Sequence, residues 1–163
     1  MSRGKRLYVI AAVVLVAMLA FPVAAYAGKK TIYVGKGIAK ARIGMKDKTA
    51  AKKIGKVAKK VKDDDYAGQT VYCYYFGKKS GGKYAVEMYA NKKHKVFGFV
   101  VNSKSYKTTK GIHVGSKEST LTDKYTLSEY DGPVYTRYHL GGNPGTDFYV
   151  KSSKVKIIQI WKS

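Results

Sequence analysis

The sequence predicts an α+β fold built of two tandem units, each a short helical segment packed on a roughly three-stranded antiparallel β-meander. Three observations carry that expectation. First, the chain matches itself: Arg42-Ile43-Gly44-Met45-Lys46 returns as His113-Val114-Gly115-Ser116-Lys117, Val71-Tyr72-Cys73-Tyr74-Tyr75 as Val134-Tyr135-Thr136-Arg137-Tyr138, and Lys95-Val96-Phe97 as Lys154-Val155-Lys156. The offset falls from 71 to 63 to 59 residues, as shorter loops in a second copy would make it. Second, each copy opens with an apolar residue and Gly before a stretch of helical spacing. Third, runs rich in Tyr and β-branched residues follow, broken by Gly and Asn.

The elements follow in chain order. Residues 1–27 read as a secretory signal peptide: Arg3, Lys5 and Arg6, an uncharged run from Leu7 to Phe21, Pro22, then Ala25-Tyr26-Ala27 as the small-residue cleavage site, with Gly28 as the new N-terminus. The rival reading is an uncleaved membrane anchor, because the run from Leu7 to Gly28 is long enough to span a bilayer. The first unit, residues 28–103, starts its helix at Asp47 as cap, places Ala50 and Ile54 one turn apart and stops at Gly55. Strands are expected at Gln69 to Phe76, Tyr84 to Ala90 and Lys95 to Val101, with Lys78 to Lys83 and Asn91-Lys92-Lys93 as turns. In the second unit, residues 104–163, Ser116 caps, Leu121 and Tyr125 form the apolar stripe, and strands run from Gly132 to Leu140, Asp147 to Lys151 and Lys154 to Trp161. A helix on one face of each antiparallel sheet would make an α+β layer.

Those residues carry a resemblance. Thr108 to Ser116 followed by Tyr125, and Arg42-Ile43-Gly44-Met45 followed by Ile54-Gly55, resemble the helix opening shared by the β-lactamase inhibitor protein family and the small outer-membrane assembly lipoproteins. The closing Val155 to Trp161 resembles the last strand of the inhibitor fold. The resemblance implies tandem helix-plus-sheet units and a habit of binding other proteins, which is an argument by analogy. The chain departs from both families. The loop Gly77 to Lys83 is cationic where the inhibitor's is acidic, Cys73 has no partner for a disulfide, and Gly28 stands where the lipoproteins carry a lipidated cysteine.

Charge bounds the partner. Without Arg3, Lys5 and Arg6 the exported chain keeps 29 Lys and Arg against 10 Asp and Glu. Such crowding repels itself and is relieved by a polyanion, whose counterions are released on docking. The expected partner is therefore an anionic cell-surface polymer or an acidic protein, with no specific nucleic acid and no membrane contact beyond the signal segment. The expected location is secreted or cell-surface associated.

Catalytic chemistry is not expected, and no cofactor or metal site is nominated. Asp63-Asp64-Asp65 lacks the alternating spacing of a calcium loop and reads as a solvated acidic loop beside Lys59, Lys60 and Lys62. His94, His113 and His139 stand singly, without ligands at zinc spacing. Cys73 reads as a small buried apolar residue, and Gly35-x-Gly37 is too short for a phosphate loop. A possible binding patch is Tyr72 and Tyr74 with Lys78, Lys79 and Lys83, where rings stack on sugars or bases and cations hold charge. The function expected is a non-catalytic exported binding protein of the envelope or extracellular space. The alternative is a protein inhibitor of an extracellular enzyme.

Overall fold

A computed structural model of the chain describes residues 30–163. The expected signal segment and its cleavage residues Ala25, Ala27 and Gly28 lie outside the described residues. The described chain is mostly β. It runs β1 (Thr31–Tyr33), β2 (Gly37–Ile38), β3 (Ala41–Arg42), α1 (Asp47–Ile54), β4 (Val57–Tyr66), β5 (Gln69–Phe76), β6 (Val86–Asn91) and β7 (Val96–Val101), then β8 (Lys107–Thr108), α2 (Glu118–Lys124), β9 (Ser128–Tyr130), β10 (Thr136–Leu140), β11 (Gly145–Lys151) and β12 (Lys154–Trp161).

This overturns the expected fold class. There are not two helix-plus-meander units: one antiparallel sheet of eight strands runs β4-β5-β6-β7-β12-β11-β10-β9, beside a small mixed sheet ordered β3-β2-β1-β8. The physical reason lies in β7 and β12, Val96–Val101 and Lys154–Trp161, whose inner residues are apolar. Were each the border of its own sheet, a greasy strand would present unpaired N–H and C=O groups to solvent. Paired with one another, Ile158 opposite Val101 and Ile160 opposite Phe99, they bury that border and merge the meanders. The outer borders fall instead to β4 and β9, which carry charge and are largely exposed. Both were missed in the sequence, and Asp63 to Asp65, expected in a loop, sit within β4.

One face of the large sheet carries the core. Tyr74, Phe76, Val86, Met88, Phe99, Val101, Phe148, Val150, Ile158 and Ile160 alternate onto that face and meet Ala50 and Ile54 of α1, Leu121 of α2, and Ile32, Ile38 and Ala41 of the small sheet. The helices are too short to persist alone, so their docking holds them. The two openings dock alike. The Gly44 N–H donates to the Val96 carbonyl at 2.7 Å and the Gly115 N–H to the Val155 carbonyl at 2.8 Å, while Met45 and Ser116 carbonyls each accept from those valines at 2.9 Å. Neither expected cap acts as one: α1 begins after Lys46 and α2 after Lys117, with no side chain closing either end. Asp47 instead turns inward to the sheet, and the Ser116 hydroxyl accepts the His113 N–H at 3.0 Å.

Candidate functional site

Because α1, α2 and the small sheet all lie on one side, the side chains pointing the other way form a second face that no described element covers. Strand pairing shows which residues share it. One row runs Cys73, Tyr89, Gly98, Trp161 and Gly145, and the next Tyr75, Glu87, Val100, Gln159, Asp147 and His139. Core-face neighbours alternate with them, so a single period of two separates the faces.

The open face is aromatic. Tyr89 stands at its centre, with its ring 6.0 Å from Tyr66, 6.4 Å from Phe97 and 5.5 Å from Trp161, and Phe97 meets Trp161 edge-on at 5.2 Å. These edge and tilted contacts match the ring quadrupoles and fix a cluster whose Tyr89, Phe97 and Trp161 are half-buried. Trp161 lies over Gly98, so closely that a Cβ at that position would collide with its six-membered ring. Glycine here makes room for the indole, as aromatic cover of a strand glycine does elsewhere. The Tyr89 hydroxyl donates to Glu87 at 2.5 Å. Burial, and then that bond, push its pKa up, so it stays a neutral donor. Burial likewise raises the Cys73 thiol, consistent with a packed rather than reactive sulfur.

At the end of the sheet where β12 finishes, this cluster opens into a cleft of about 690 Å³. Tyr66, Phe97 and Trp161 wall it, and Gln69, Asn91, Lys95 and Lys162 supply polar groups. Apolar walls with a few polar groups describe a ligand cleft. At the opposite end, Tyr75 and Tyr84 pair at 4.9 Å, and Tyr84 lines a second cleft of about 330 Å³ with Lys78, Lys83, Lys104 and Lys156.

The patch expected from sequence is divided by the fold. Tyr74 is buried on the core face, where its hydroxyl donates to Asp47 at 2.6 Å. Tyr72 is half-buried on the same face, stacked on His94 at 4.3 Å. The cation over both rings is Lys60 of β4, 4.7 Å from Tyr74 and 5.2 Å from Tyr72. Lys78, Lys79 and Lys83 lie beyond the far end of β5, where Lys78 and Lys83 join Lys104 and Lys156. Sequence reading missed Tyr66, Tyr89, Phe97, Lys104 and Lys156 and took Trp161 only as a strand residue. The available signal was alternation: Glu87 and Tyr89 interleave with Val86, Met88 and Ala90, and Ile157, Gln159 and Trp161 with Ile158 and Ile160.

Two histidine–carboxylate pairs also form. His94 Nδ1 lies 2.7 Å from Asp47, and His139 Nδ1 lies 2.7 Å from Asp147. Asp47, itself buried, also accepts from Tyr74 and from the Lys48 N–H at 2.6 Å. Burial alone would raise its carboxyl, but the three donors outweigh it and hold it below the ordinary value. With a tyrosine and a helix N–H completing its shell, this carboxylate ties α1 to the sheet. Among the described residues no three His, Cys, Asp or Glu side chains gather as a metal site.

No protein family model matches the chain, and no curated protein does. Among solved structures, the uncharacterised protein yfeY from Escherichia coli matches over 83% of this chain and 99% of its own, with a TM-score of 0.51 and 14% identity. At that identity the two chains are similar in fold.

Proposed function

We propose that this chain is a non-catalytic binding protein, exported to the cell envelope or extracellular space, whose open sheet face docks an anionic sugar polymer. The observation that carries the proposal is the half-exposed cluster Tyr66, Tyr89, Phe97 and Trp161 on a sheet face with no described cover, bordered by lysines. Sugar rings present C–H faces that stack on such aromatics, while the Gln69 and Asn91 amides match hydroxyls. Anionic groups on the polymer are met by Lys95 and Lys162 at the cleft and by a strongly basic surface. The basic leader followed by an apolar run supports an envelope polymer over nucleic acid.

The test is retention of the protein, expressed from the full sequence, on an immobilised anionic wall polysaccharide at two salt concentrations. Affinity is expected to fall steeply with salt. Trp161→Ala is expected to weaken it by about tenfold, in line with roughly 1–3 kcal/mol for a lost stacking partner. Equal retention of the Trp161→Ala variant, confirmed folded by circular dichroism, would remove the open face from the account. No retention of the parent at low salt would remove the polymer.

A further inference from the structure

The second cleft asks for a ligand of its own. Lys78 and Lys83 enter it from the β5–β6 loop, Lys104 from the segment after β7, and Lys156 from the start of β12. No carboxylate lines it. Among the described residues the lysine-to-carboxylate ion pair is Lys62 with Asp64, so none of these four cations is neutralised by an acid. Four exposed, acid-free lysines lining one cleft repel each other, a cost that a bound anion reverses.

The frame beneath them is fixed. Ser80 and Lys83 exchange two backbone hydrogen bonds, at 2.8 and 3.0 Å, which close the loop. The Asn102 N–H donates to the Ala85 carbonyl at 3.0 Å, and its side-chain amide to the Tyr84 carbonyl at 3.1 Å and Glu87 at 3.2 Å. Glu87 is the nearby acid, and it is engaged by that amide and by Tyr89. Ser80 and Ser103 add neutral donors at the rim. Lys156 and Trp161 belong to one strand, five residues apart, so the two clefts stand roughly 15 Å from one another along the sheet.

We infer that this lysine cleft is an anion subsite that takes a phosphate group, a phosphomonoester carried on a sugar polymer whose rings lie on Trp161. That identity of the polymer rests on the docking proposed above; the anion site itself does not. A phosphomonoester fits better than a carboxylate because its three terminal oxygens and charge of about −1.5 to −2 can be shared among lysines from three separate segments, whereas a planar carboxylate offers two oxygens and one charge.

The experiment is an amide NMR titration of the protein with inorganic phosphate, and with acetate at matched ionic strength. Phosphate is expected to shift the Asn102, Ser103 and Lys104 amides along a saturating curve, with acetate giving a smaller, linear response. Lys104→Gln with Lys156→Gln is expected to raise the apparent dissociation constant by roughly tenfold or more, given the strength of charge-assisted bonds. Lys52→Gln with Lys53→Gln, exposed on α1, should change nothing. Acetate saturating like phosphate, or the two double variants behaving alike, overturns the site. Trp161→Ala separates the two proposals: it should lower polymer retention and leave the phosphate titration intact. Polymer binding without phosphate saturation refutes the subsite alone.

Discussion

Asp47 shows how one residue can look like a helix cap and serve another purpose. Its spacing before Ala50 and Ile54 suits a cap, yet the carboxylate bonds Tyr74, His94 and the Lys48 N–H and closes no helix end. Removing a buried acceptor strands its donors, which costs about 1–3 kcal/mol. Asp47→Ala should therefore lower the urea midpoint with little change in slope, and an unaltered midpoint would refute the tie. The pH dependence has a definite sign. Because folding holds this carboxyl below its ordinary value of 3.8, its contribution is complete at neutral pH and is lost as pH falls below that value toward the folded one. Stability of Asp47→Ala measured across pH 2 to 7 should lack that acid-limb component. No sequence rule distinguished the two roles, since Tyr74 and His94 are 27 and 47 residues away.

At the scale of elements, β4 explains why charge does not exclude a strand. Val57–Tyr66 contains three lysines and three aspartates, and its exposed border position makes that composition an asset. Charged edges discourage pairing with a second copy. Lys60 also covers the Tyr72 and Tyr74 rings, and the exposed pair of Lys62 with Asp64 at 2.7 Å adds little stability. Replacing Lys59, Lys60 and Lys62 together by Val should produce larger, concentration-dependent species in sedimentation velocity. A triple variant that sediments as the parent does would argue that the edge is protected by its twist and bulges instead. The strands that were legible, β5, β6, β7, β10, β11 and β12, are those whose Tyr-rich, alternating or β-branched runs favour a strand. The short β1, β2, β3 and β8 carry two or three residues each, too few to show a period.

Across the whole molecule, pairing of β7 with β12 makes one core from both halves of the chain. The small sheet adds a second tie, with β1 lying parallel to β8. Heat should therefore unfold residues 30–163 in one transition, with calorimetric and van't Hoff enthalpies equal. Two resolved transitions would mean that the halves are energetically separate. By itself the sequence determined what is local: where apolar runs alternate, that Gly55 ends a helix, that Cys73 is buried, and that cations greatly outnumber acids. Only the tertiary structure decided that the meanders share a sheet, which face the helices cover, and hence that Trp161 and Tyr89 look outward while Tyr74 looks in. Alternation tells that a strand has two faces, but which one meets the core depends on partners distant in the chain, and that choice is made by the packing of all of them at once.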